Sequence, residues 1–114
     1  MLYNRAFEKE EKMSHHVVVE VTVVPLGTGS TSLSSYVAGV EKVLAKYKNI
    51  KTMLTPMATI LEGDLDEILT VIREMHETPF LNGAKRVSTR ISIDDRRDKH
   101  LSMKGKIEAV KVKL

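Results

Sequence analysis

The groups in this chain best suited to chemistry gather at one join. Residues 17–28 read V-V-V-E-V-T-V-V-P-L-G-T, a strand that breaks at Pro25 into the loop G-T-G-S-T-S and then enters a helix. Small polar residues between a strand end and a helix N-terminus expose backbone N–H groups and hydroxyls, which hold a ligand without reacting with it. Bond-making machinery is missing. There is no Cys, no Gly-x-Ser-x-Gly, no His-Glu-x-x-His and no phosphate-loop Gly-Lys-Ser/Thr. His15 and His16 are adjacent, which is poor metal-ligand geometry without a third donor. His76 falls on the apolar face of a helix and reads as structural, and His100 lies in a basic tail and reads as solvated. The sequence therefore describes a binding module rather than an enzyme, with no cofactor and no metal.

The elements that position this join fit one compact domain. The chain has 114 residues, enough for a single core and too few for two comfortable ones. The amphipathic, charged stretch at residues 1–13 reads as a poorly ordered N-terminal extension, and residues 14–114 as the domain. No apolar run approaches the ~20 residues that cross a bilayer, so the cytoplasm is the default location and no membrane partner is expected. Formal net charge is +3, and after Asp98 five lysines (Lys99, Lys104, Lys106, Lys111 and Lys113) face only Glu108. That basic end is either a solvated helix face or a site for an anionic partner. Nucleic acid has the weaker claim. Aromatics make up 4% of the chain, and no expected strand carries one to stack on a base.

Periodicity sets the order of elements. In 17–24, Val17, Val19, Val21 and Val23 share one face, while Val18, Glu20, Thr22 and Val24 share the other. Ser30, Thr31 and Ser32 are candidate N-caps for a helix whose apolar positions recur down to Tyr47. Ile50 to Leu54 and Ala58 to Leu61 read as strands joined at Thr55-Pro56-Met57. Asp64, with Glu67 three residues on, caps a second helix striped by Leu65, Ile68, Leu69, Ile72 and Met75, and Thr78-Pro79 should stop it. Asn82-Gly83 turns into a strand over 84–93, and 101–114 closes the chain as a helix. The result is an α+β, ferredoxin-like βαββαβ fold: a four-stranded antiparallel sheet with two helices on one face, plus a C-terminal helix.

The uncovered sheet face then carries Val18, Glu20, Thr22 and Val24 beside Arg86, Ser88, Arg90 and Ser92, with Met53, Met57 or Leu61 added by the hairpin. Glu20 needs a partner there, and an arginine lies within cross-strand reach. A face this mixed packs on something, and a second copy of the sheet is the simplest candidate.

Three blocks, V-V-P-L-G-T-G-S-T-S-L-S-S-Y-V at 23–37, T-P-M-A-T-I-L-E-G-D-L-D-E-I-L at 55–69 and R-V-S-T-R-I-S-I-D-D-R-R-D-K at 86–99, closely resemble the thiamine-binding-domain family. These are small conserved proteins formerly of unknown function, related to the tandem-domain protein that binds thiamine and its hydroxymethylpyrimidine moiety. The resemblance covers about 14–114. It implies a ferredoxin-like fold, sheet-to-sheet dimers pairing into homotetramers, and non-catalytic binding of thiamine or its pyrimidine. By motif it implies ligand contacts from Gly27, Thr28 and Ser30 to Ser34, from Thr55 and Met57, and from Arg90, Asp94, Asp95 and Arg96. Glu20 is the candidate carboxylate for the cationic thiazolium. Each has a plainer reading: Thr28 and Ser30–Ser32 cap a helix, Met57 fills core, and Asp94–Asp98 form a turn network of surface ion pairs. Ala58 departs from the family pattern, where Gly is expected, and its methyl would narrow a close backbone approach. A metabolite-sensing regulatory oligomer is a variant of the same reading.

Overall fold

The computed structural model of the chain describes residues 16–114; the expected extension and His15 lie outside them. The elements run β1 (His16–Leu26), α1 (Ser34–Leu44), β2 (Lys51–Leu54), β3 (Thr59–Asp64), α2 (Leu65–Leu81), β4 (Arg86–Asp94) and α3 (Met103–Lys111). The four strands form one sheet in the order β2-β3-β1-β4, each neighbouring pair antiparallel. This is the ferredoxin-like arrangement that the pattern of elements requires.

The valine-rich strand β1 sits centrally, with β3 on one side and β4 on the other, and one of its faces is fully covered by helices. Val17, Val19 and Val21 are at most 1% exposed and pack with Leu61, Val40, Val43, Leu44, Ile68, Val71, Ile72 and Met75. Burying such side chains contributes roughly 1.5–3 kcal/mol each. Register sorts the remaining residues. Thr52, Leu61, Val19 and Ile93 form one cross-strand row on the helix-covered side, and Met53, Ile60, Glu20 and Ser92 form the adjacent row on the opposite side. Leu61 is therefore core and does not join the open face, because a one-residue step along a strand reverses the side chain's direction.

Two prolines leave their elements intact. β1 continues through Pro25 to Leu26, pairing Pro25 with Val87. β3 pairs with β1 only as far as Val21, so Pro25 lies where the strand has one neighbour and a missing N–H costs little. α2 likewise runs through Pro79 to Leu81. Pro79 is in the last turn, its ring is fully buried, and its carbonyl accepts from Asn82 N (3.1 Å) and Ala84 N (2.9 Å). One lost helical bond near a terminus is outweighed by burying the ring.

At the start of α1 the expected serine caps are not used. Leu33 occupies the N-cap with no side-chain bond, and the helix ends at Leu44 rather than Tyr47. The loop hydroxyls bond backbone groups of the loop instead: Thr28 Oγ1 donates to the Ser30 carbonyl (3.1 Å), and Ser30 Oγ accepts from Ser32 N–H (3.1 Å). Gly27 and Gly29 adopt positive φ (70° and 76°), the left-handed conformation that lets the loop double back. Asp64 caps α2 as expected, accepting from Glu67 N at 3.2 Å.

The C-terminal helix does not join the other two. Its start is fastened to the open side of the sheet by Glu62, which is 2% exposed and accepts from Met103 N at 2.5 Å. His16 Nε2 lies 3.2 Å and Lys51 Nζ 3.7 Å from the second oxygen of that carboxylate. His16 Nε2 has no aligned hydrogen-bond partner among the described residues. His100 is exposed, as its place in a basic tail suggests, and one face of its ring lies against His16 with ring centroids 4.7 Å apart. Among the described residues no helix is long and apolar enough to cross a membrane.

Candidate functional site

The mismatch in strand lengths creates a slot. β1 follows β4 to Leu26, but its pairing with β3 ends at Val21↔Thr59. Residues 22–24 thus leave one backbone edge without a strand neighbour among the described residues, and these residues line a cavity of about 180 Å³. Leu33, Val37 and Val40 of α1 form one wall. The turn between β2 and β3 forms the other. Thr55 fixes that turn: its Oγ1 donates to Ala58 O (2.7 Å) and accepts from Ala58 N (3.0 Å), and Thr55 N donates to Ala58 O (2.9 Å). Met57 at the tip is 86% exposed, which rules out a core role for it.

A carboxyl group stands in this apolar slot. Glu41 of α1 is half-buried, and burial pushes its pKa up; the hydroxyl of buried Thr59, 3.5 Å away, is the partner that opposes the shift. No cation pairs with Glu41 among the described residues. A carboxyl short of partners in apolar surroundings keeps hydrogen-bonding capacity unused and marks a candidate binding group. The sequence held a signal for Glu41 that periodicity reasoning passed over, since it falls at helical spacing inside the stripe Val37, Val40 and Leu44.

The residues expected at the site fall into separate groups. Thr55 and Met57 line the slot. Gly27, Thr28, Ser30 and Ser34 occupy the neighbouring loop and helix start and do not line it. Arg90 lies on the open face opposite Thr22, in a shallow shelf that reaches the slot past Met57 and Ala58. Ala58, the departure from the family pattern, lines both slot and shelf. Glu20 pairs in register with Ser92, with Arg90 on the diagonal and no ion pair formed between them. Asp94 contacts Lys106 of α3. Asp95 and Arg96 sit beyond β4 in a network that pairs Arg97 with Asp95 (2.8 Å) and Arg96 with Asp98 (2.9 Å), the turn-network alternative for this cluster. His76, as expected of a structural residue, bonds Thr89 Oγ1 at 2.7 Å and meets Phe80 edge-on.

The fold and its slot define a small ferredoxin-like α+β domain with a ligand-sized cleft where one strand outruns its neighbour. The chain belongs to the thiamine-binding protein family, whose profile it matches over residues 19–111. It is 48% identical to UPF0045 protein YqgV of Bacillus subtilis over 96 residues, which are 82% of this chain and 92% of that relative. It is 44% identical to a UPF0045 protein of Methanothermobacter thermautotrophicus over 99 residues, 86% of this chain and 99% of the other. Among solved structures, the hypothetical protein MJ1052 of Methanocaldococcus jannaschii superposes with a TM-score of 0.78 at 41% identity, covering 85% of this chain and 97% of that one.

Proposed function

We propose that this protein binds thiamine or its hydroxymethylpyrimidine moiety without transforming it, as a homo-oligomer, with the pyrimidine seated in the slot between α1 and the 55–58 turn. The observation that carries the reading is Glu41: a carboxyl raised in pKa by burial, inside an apolar cleft beside an unpaired strand edge. An aminopyrimidine presents a ring nitrogen and an amino group side by side. One carboxyl group can meet both, while the β1 edge at 22–24 and the Thr59 hydroxyl supply further polar contacts. The cleft suits a single ring, being smaller than the ~300–1,000 Å³ that larger ligands occupy. The remainder of thiamine would pass Met57 onto the shelf at Thr22 and Arg90. Family membership supports the same ligand class.

A thermal-shift series tests this with thiamine, hydroxymethylpyrimidine, thiamine phosphates and unrelated nucleotides. A ligand at a hundred times its dissociation constant should add ~2.7 kcal/mol of stability. Stabilisation by a thiamine-related compound that Glu41→Gln abolishes is the expected result; no shift with any of them removes the ligand assignment. Recovery of the ligand unchanged after prolonged incubation is expected of a non-catalytic protein, and turnover would contradict it. Assembly would use the part of the open face that α3 leaves bare, around Thr22, Met57 and Arg90. Sedimentation of a monomer at micromolar concentration would overturn that part.

A further inference from the structure

The two edges of the sheet are built differently. β2 closes one edge with four residues, the first of them Lys51. β4 closes the other with nine, and it pairs with β1 residue for residue from Val18↔Asp94 to Leu26↔Arg86, without a bulge. Short strands, lysine, proline and bulges keep a sheet edge from pairing with another chain, and β4 carries none of them. Its outer backbone edge has no strand neighbour among the described residues. The second half of this strand is also apolar where it is poorly shielded. Val87 and Thr89 are half-buried on the helix side, whereas Ile91 and Ile93, on the same side, are each 44% exposed.

A second copy of β4 fits this edge in one register. A two-fold axis normal to the sheet pairs the strand antiparallel with itself about one central residue, and directly opposed side chains share a face. Centred on Arg90, the guanidinium would face its own copy, a like-charge contact that opposes pairing. Centred on Ile91, Arg90 would face Ser92 and Asp94 would face Ser88, so no opposite charges meet. Centred on Ser92, Arg90 of each copy faces Asp94 of the other on the open side, and Ile91 of each faces Ile93 of the other on the helix side. Charge and exposed aliphatic surface are then both matched. Asp94 is half exposed, which leaves room for a second cation beside Lys106. An unrelated strand would need its own acid and its own apolar pair at those positions, while a second copy brings them by symmetry. From this register we infer that β4 is a dimerisation edge: two copies of the chain add strand to strand about Ser92, and their four-stranded sheets join into one of eight strands with α1 and α2 of both on the same side. The contact uses the rim of the sheet, so it is separate from any packing of the open faces.

The chain has no Cys, so introduced thiols report alone. The test uses the full chain carrying Ile91→Cys and Ile93→Cys together, oxidised under native conditions and read as covalent dimer on a non-reducing gel. Opposed residues of an antiparallel pair hold their Cα atoms ~4.5–5.5 Å apart, within disulfide reach, so a covalent dimer is expected. Each single variant puts its thiols on a diagonal, roughly 7–8 Å apart, and should cross-link about tenfold more slowly. An equal mixture of the two single variants should cross-link again, because residue 91 of one copy then meets residue 93 of the other. Both positions lie on the helix side, so packing of the open faces does not bring them together. Adding Arg90→Asp to the double-cysteine chain sets two like-charge pairs across the edge and should slow cross-linking about tenfold, and adding Asp94→Arg as well should restore it. Absence of the covalent dimer, cross-linking of either single variant as fast as the double, or failure of the charge exchange to restore the rate would overturn the inference.

Discussion

Glu41 and Glu62 are both carboxyl groups withdrawn from water, and they titrate in opposite directions. Burial raises Glu41, with a distant Thr59 hydroxyl as its only support among the described residues. Burial also acts to raise Glu62, yet the Met103 N–H, His16 and Lys51 together hold it below the usual carboxylate range. The comparison separates two uses of a buried acid. A carboxylate whose lone pairs are filled fastens structure, here the start of α3 onto the sheet. A carboxyl left short of partners costs stability and is available to a ligand.

The largest expected effect falls on the fastened residue. Glu62→Ala should lower stability by about 2 kcal/mol and release α3 from the sheet. Denaturant unfolding, with hydrogen exchange at Met103 and Lys104, reads both; unchanged protection of those amides would mean that α3 is held by something else. Thr55→Ala should cost about 1 kcal/mol, because its hydroxyl makes the two side-chain bonds to Ala58 that fix the 55–58 turn, and it should weaken slot binding alongside. Glu41→Gln is expected to go the other way, raising stability at neutral pH by less than about 1 kcal/mol while abolishing ligand stabilisation. Lys106→Ala removes an exposed pair with Asp94 and should change stability by no more than about 0.5 kcal/mol; a larger loss would show that this pair, and not Glu62, fastens α3.

Acid titration sharpens the same contrast. Glu62 has a lowered folded pKa, so its contribution is present above the unfolded carboxylate range of about pH 4–5 and is lost as pH falls through the folded value. Glu41 has a raised folded pKa, so its contribution is present below that range and is lost as pH rises through the folded value. Stability curves of Glu62→Gln and Glu41→Gln against the natural chain should diverge on opposite sides of that range.

Regular alternation and helical spacing made much of this legible from residue types. The β1 valines, the Asp64 cap and the α2 stripe each depend on neighbours within a few positions, so local rules sufficed. The prolines at 25 and 79 misled for the same reason. Local rules read them as stops, whereas tertiary context decided their cost: one lies beyond the end of β3, and the other sits in a last helical turn with its ring in the core. Ser30–Ser32 look like helix caps in sequence, but the turn through Gly27 and Gly29 folds their hydroxyls onto the loop itself. Pocket residues were the least legible. Glu41 and Thr59 lie 18 positions apart and meet only because α1 packs over the sheet face that carries Thr59 beside Val21.

By itself the amino-acid order determined the element types, their βαββαβ succession and the valine face that must be buried, since backbone preference and side-chain periodicity are properties of short segments. Only the tertiary structure decided which carboxyl groups find partners. Among the described residues, Glu62 meets the start of a helix 41 residues away, Glu41 meets one hydroxyl, and Glu20 stays exposed on the open face with no ion pair. The energy of a charge depends on everything around it, and those surroundings come from segments that only folding brings together.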